Sequence, residues 1–164
     1  MKRLVFCLAL VVAIEASCYS DVTKFATANP PVGGLSPEDR KVLRDSPRFH
    51  EVHSTSDLPP GVVALCGSKL AEPGGKWNAT DSILDPMLPG KRLIWAAVGG
   101  KYYVVHYERG GIAHTFHLLV AKLAKGKAKP KVVWSTVGGP FKDYAAFVDA
   151  LRSGKLENRL DYIH

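Results

Sequence analysis

Between Arg92 and Val137 the chain carries four segments dense in β-branched and aromatic residues, with a Gly-Gly pair after each of the first two. The segments are Arg92–Val98 (RLIWAAV), Lys101–Glu108 (KYYVVHYE), Ile112–Leu123 (IAHTFHLLVAKL) and Lys131–Val137 (KVVWSTV). Side chains of this kind suit a pleated surface that is at least half buried. Gly99-Gly100 and Gly110-Gly111 offer the positive φ that tight hairpin turns require. Connections this short oblige neighbouring strands to run antiparallel. The region therefore predicts a four-stranded antiparallel meander, with Trp95 and Trp134 in its core.

Helix signals flank the meander. Ser36-Pro37-Glu38-Asp39 places an N-cap hydroxyl, a first-turn proline and two acids at the positive end of a helix, and Ser46-Pro47 stops it. A second helix is expected from Asp57, with Pro59 and Pro60 in its first turn, to Gly67; Val62–Cys66 reads equally as a strand, because so short an apolar run does not separate the two periods. Residues 67–91 are rich in glycine and proline and read as irregular. A last helix is expected over Phe141–Arg152, with Phe141, Tyr144, Ala145, Val148 and Leu151 on one face and Gly154 ending it. His50 and His53 flank Glu51-Val52, which fits an edge strand. The expected fold is α+β, the meander packed against the C-terminal helix and the short N-terminal helices, over residues 36–164 as a single domain.

The N-terminus reads differently. Lys2-Arg3 precede an apolar run from Leu4 to Ile14, and the small residues Ala16 and Ser17 precede Cys18. A basic start, a short apolar core and a small-residue exit describe a secretory signal peptide over residues 1–18; eleven residues at ~1.5 Å each cover about half of a ~30 Å hydrocarbon core. Residues 19–35, with Pro30-Pro31 and Gly33-Gly34, read as a flexible tether. Glu15-Ala16-Ser17-Cys18 resembles the lipobox of bacterial lipoproteins, which implies lipid attachment at Cys18; Glu15 departs from the apolar residue usual there, and cleavage after Ala16 or Cys18 without lipid is the rival. Either way the expected destination is outside the cytoplasm: periplasm, lipid-anchored at the outer membrane, or secreted. Once Cys7 leaves with the signal, Cys18 and Cys66 remain, enough for one disulfide in an oxidising compartment. A lipid on Cys18 would leave Cys66 as a small buried apolar side chain among Val62, Val63, Ala64 and Leu65.

Charge is uneven. The chain has 22 Lys+Arg against 15 Asp+Glu, and from Arg109 to Lys142 it holds no acid. Lys122, Lys125, Lys127, Lys129 and Lys131 alternate with small residues in KLAKGKAKPK. Lysines without interleaved aromatics or arginines do not make a nucleic-acid surface, and no nucleic-acid partner is expected. They suit a solvated hairpin loop, or anionic lipid headgroups and other envelope polymers.

Pro73-Gly74, Trp77-Asn78-Ala79-Thr80-Asp81 and Val105-His106-Tyr107-Glu108-Arg109-Gly110-Gly111 are similar to small exported bacterial proteins of unassigned function, over residues 57–152. The resemblance implies a single exported domain and carries no activity.

One constellation bears chemistry. If Gly110-Gly111 is a two-residue turn, strand alternation puts His106, Glu108, Thr115 and His117 on one sheet face. Two imidazoles and a carboxylate there would bind a metal or act as a base and its orienter. A one-residue change in turn length would separate the histidines. The sequence has no phosphate loop, nucleophile motif, zinc spacing or dinucleotide fingerprint, and no cofactor or resident metal is expected. The leading expectation is a non-enzymatic binding module for a protein partner or an anionic envelope polymer, meeting membrane only through lipid at Cys18. The alternative is a small hydrolase or metal-dependent enzyme using His106, Glu108 and His117.

Overall fold

The strands expected between Arg92 and Val137 form, and a fifth joins them at one edge. In the computed structural model, which describes residues 35–156 apart from residues 68, 82–84, 125 and 127–128, one antiparallel sheet runs in the order β1 (His50–Val52), β2 (Lys91–Gly99), β3 (Tyr102–Arg109), β4 (Thr115–Lys122) and β5 (Lys131–Val137). The signal segment, the lipid-attachment candidate Cys18 and the tether up to Gly34 fall outside the described residues. Leu35, assigned to the tether by sequence, is buried in the core.

The fifth strand corrects the four-stranded expectation. It is the edge strand that Glu51-Val52 fits: β1 is three residues long, pairing His50 with Val98 and Val52 with Ala96, and it extends the four-stranded meander by one strand. Two turns also differ. Gly99 pairs with Tyr102, so the first hairpin loop is Gly100-Lys101, and Gly100 at φ +59° supplies the left-handed residue. The second loop is longer, because Arg109 pairs with Thr115 and residues 110–114 lie between them. Gly110 serves close approach instead: a Cβ there would stand 2.2 Å from the Asn78 carbonyl oxygen, where residue 80 bridges to residue 111.

Three short helices cover the sheet. Helix α1 (Pro37–Arg44) begins as expected, Ser36 Oγ accepting from the Asp39 amide at 3.1 Å. Helix α2 (Pro60–Cys66) ends at Gly67, whose φ is 130°. Helix α3 (Tyr144–Arg152) starts three residues later than Phe141, because Asp143 caps it by accepting from the Ala146 amide at 2.8 Å. No helix among the described residues is long and apolar enough to cross a membrane.

The helices divide between the two faces. Leu43 of α1 and Tyr144, Phe147, Val148 and Leu151 of α3 pack on Trp95, Val104, Leu118, Val120 and Trp134. Val62 and Cys66 of α2, with Leu58, pack on Leu93, Ala96, Val105, Tyr107 and Leu119. The architecture is α+β in three layers. Helices of seven to nine residues are shorter than the ~12–15 residues that hold helix in isolation, so packing and capping must sustain them. Glu51 of β1 accepts from the Tyr144 amide at 2.8 Å, a carboxylate at the positive end of α3. At their other ends, Arg152 donates to the Arg44 carbonyl at 2.8 Å and Arg44 to the Leu151 carbonyl at 3.3 Å. Asp39 joins α1 to the sheet by accepting from Tyr102 Oη at 2.6 Å and pairing with Lys122. Burial works against the Asp39 carboxylate, but hydrogen bonds from Lys122, Tyr102 and Ser36 outweigh it and hold the carboxyl below its ordinary value.

Trp95 is the largest fully buried side chain, and its indole N–H donates to the Phe141 carbonyl at 2.8 Å. Trp95→Ala should cost ~3–5 kcal/mol as a cavity-forming truncation, while Trp95→Phe, which leaves that carbonyl without its partner, should cost less. Chemical denaturation of both variants checks this; a wild-type midpoint for Trp95→Ala would remove Trp95 from the core.

Candidate functional site

Register decides which polar side chains meet. Tyr107 pairs with His117, and His106 with Leu118. His106 and Glu108 therefore lie on the α1/α3 face, while Thr115 and His117 lie on the α2 face. The four-residue constellation is corrected: the five-residue loop offsets β4 by an odd number of residues from the two-residue-turn register, which sends its side chains to the opposite face. Leu93 and Trp95, two residues apart, face opposite sides of the sheet, because a bulge at Ile94 lies between the pairs Leu93–Tyr107 and Trp95–His106.

His106 has no exposed surface and both ring nitrogens are engaged. Nδ1 lies 2.9 Å from the His117 carbonyl and Nε2 accepts from the Phe141 amide at 3.2 Å; these partners require a neutral ring with its proton on Nδ1. Burial, set against the His117 carbonyl bond and the charge of Glu108, keeps its pKa below the ordinary 6.5. Packed against Trp95 and Phe141 with centroids at 5.2 and 5.9 Å, His106 ties β3, β4 and the approach to α3 together. It has no lone pair left for a metal.

Glu108 serves other partners. Its side chain, 7% exposed, accepts from Arg92 Nε at 2.5 Å and meets His114 Nε2 at 2.7 Å. Trp77 covers both, 5.1 Å from the Arg92 guanidinium and 5.5 Å from the His114 ring. A half-exposed imidazole held by a buried carboxylate is an orienting arrangement. Cys66, the thiol among the described residues, is fully buried on the opposite face, and burial pushes its pKa up to about 12, against a smaller opposing pull from Lys91. It is inert at neutral pH. Among the described residues no group of three or more His, Cys, Asp or Glu stands close enough to hold a metal.

The α2 face carries the least compensated charge. Lys91 and Arg109 are directly paired across β2 and β3, an arrangement in which like charges repel. Lys91 Nζ donates to the Cys66 carbonyl at 2.5 Å, a contact Gly67 permits by leaving the space beside Nζ clear; two of its three N–H groups remain. Burial, reinforced by Arg109, lowers its pKa. Arg109 is exposed, and its guanidinium has no hydrogen bond or carboxylate among the described residues. Beside them His117 stacks on Tyr107 with centroids 5.0 Å apart and lies 2.8 Å from Thr115 Oγ1. Burial, Lys91, Arg109 and His106 together depress its pKa to about 4.

These cations open onto a groove of about 620 Å³ lined by Gly67, Lys69, Lys91, Arg109, Gly110 and Gly111, with Asp81 on its wall. Its floor is shaped by Asn78, whose amide donates to the Asp85 and Leu88 carbonyls at 2.8 and 3.2 Å. The irregular composition of residues 67–91 hid this groove from the sequence; the signal that could have found it was Lys91 and Arg109 at the ends of two strands joined by a tight turn.

His117 should titrate near pH 4 by NMR, and His106 below 6.5. A histidine depressed in the native state binds its proton more readily when unfolded, so its contribution to stability is complete above ~6.5 and is lost as pH falls toward about 4. Denaturation midpoints should therefore decline over that interval, and the decline should be smaller in His117→Gln. A His117 midpoint near 6.5 would contradict the burial and the cation field described.

No protein-family model, no curated protein and no solved structure matches the chain.

Proposed function

We propose that this is a small exported, non-enzymatic binding domain of the bacterial envelope type, and that the groove beside Lys91 and Arg109 receives an anionic group of its partner. The observation carrying this reading is the direct pairing of Lys91 with Arg109, with no carboxylate bonded to Arg109 among the described residues. An anion between the two would turn their repulsion into two charge-assisted contacts. The enzymatic alternative needed His106, Glu108 and His117 on one face; their separation removes its support.

Inorganic phosphate and sulfate are suitable probes, by calorimetry and by NMR of His117. Binding should raise the His117 pKa, because the anion offsets the field of Lys91 and Arg109. Arg109→Ala, losing a charge-assisted contact worth ~1.5–3 kcal/mol, should weaken binding by roughly ten- to a hundredfold. Absence of binding at millimolar phosphate, or unchanged affinity in Arg109→Ala, overturns the proposal.

Export is supported by the basic start, the apolar run Leu4–Ile14 and the small residues before Cys18. Mass spectrometry of the protein from its own cells should find an N-terminus within residues 17–19. A diacylglyceryl mass on Cys18 would make it a lipoprotein; an unmodified end there would make it soluble after processing. Intact Met1 on the exported protein would refute signal cleavage.

A further inference from the structure

Among the described residues, the large apolar side chains that stand exposed are Ile112 at 96%, Met87 at 72% and Val137 at 42%. All three belong to the end of the sheet where β3 passes into β4. Ile112 follows Gly111 and Met87 lies between Pro86 and Leu88, each neighbour lining the cationic groove. Val137 pairs with His117 on the strand beside it. Ile112 and Met87 thus stand in water beside a pair of cations that no carboxylate among the described residues neutralises. A lone exposed apolar residue is ordinary; apolar side chains on the rim of a basic groove match the two layers of a membrane surface, phosphate outside and hydrocarbon beneath.

We infer that this end of the sheet is a membrane-docking surface, in which Ile112 and Met87 enter the acyl boundary of an anionic bilayer while Lys69, Lys91 and Arg109 hold a lipid phosphate in the groove. The inference rests on the anion-binding reading and assigns that anion to a lipid headgroup. It places the contact away from Lys122 and Lys131, which pair with each other at the other end of β4. Asp81 lies on the groove wall, and the Asp85 carboxylate beside Met87 accepts from the Met87 amide at 2.8 Å; Glu108, next to Arg109 in sequence, points to the opposite face and pairs with Arg92. Among the described residues the groove is lined by three cations, Lys69, Lys91 and Arg109, and one acid, Asp81.

The test is flotation of the full chain carrying Cys18→Ser, so that no lipid is attached, with vesicles of phosphatidylglycerol and of phosphatidylcholine. Variants of one chain are compared, so any contribution from residues 1–18 is common to all. The anionic vesicles should be preferred, with the preference declining as salt rises. Ile112→Ser, at a position too exposed to affect folding, should reduce partitioning roughly tenfold and leave phosphate binding intact. Arg109→Ala should reduce both. Phosphate binding without any vesicle preference, or vesicle binding indifferent to Ile112→Ser and Met87→Ser, overturns the membrane inference and leaves the groove reading standing. Vesicle binding that Arg109→Ala does not alter also overturns it, and loss of both kinds of binding removes both readings.

Discussion

A sheet covered on both faces cannot leave a polar side chain unanswered on either, and most of the polar contacts in this protein follow from that. His106 points into the α1/α3 core, where an unpaired imidazole nitrogen would be costly to bury. It is accommodated because the His117 carbonyl and the Phe141 amide lie on either side of the ring. The same bonds fix the chain just before α3, whose first turn is then held by Asp143 and by Glu51 from the edge strand. Helices this short depend on such contacts: α3 is sustained by side chains from β1, by Asp143 and by the reciprocal arginines Arg44 and Arg152.

Double burial also explains what the sequence could and could not convey. Ser36, Gly67, Gly100 and the strand cores were legible because each is a local signal: a cap, a stop, a turn, a β-branched run. Face assignment was not. Strands buried on both sides lose the alternation of polar and apolar residues that reports orientation, and the stretches Trp95–Val98 and Tyr102–Tyr107 are apolar almost without interruption. With alternation gone, only loop length assigns the faces, and Gly110-Gly111 does not make a two-residue turn: those glycines accommodate a neighbouring backbone, Asn78–Thr80. Three residues of register separated His106 from His117.

The bulge at Ile94 has a larger effect than its size suggests. From Trp95 to Gly99 the β2–β3 pairing follows the tight turn at Gly100; beyond Ile94 it is shifted by one, which sets Lys91 against Arg109 and Arg92 against Glu108. Without the extra residue, Lys91 would face Gly110 and Arg92 would face Arg109. One inserted residue therefore produces an Arg92–Glu108 ion pair, with His114 on the same carboxylate, on one face and a cationic pair on the other. Nothing in the composition of RLIWAAV announces a bulge, so this part of the site was not legible before the pairing was known.

The contrast between these charges is what makes the groove informative. Two partly buried cations on the sheet are answered by acids: Lys122 by Asp39 at one end, Arg92 by Glu108 at the other. Both acids are buried and held by a second donor, Tyr102 for Asp39 and His114 for Glu108. Lys91 is about as hidden as those cations, but its cross-strand neighbour is an arginine and its acceptor among the described residues is a backbone carbonyl. The repulsion reaches further, to His117, where it helps to keep the imidazole neutral. Where Lys122 and Arg92 meet buried carboxylates, Lys91 and Arg109 meet none among the described residues; the sheet has kept a local positive potential at the mouth of an open groove, which an anion entering there would relieve at Lys91, Arg109 and His117 together.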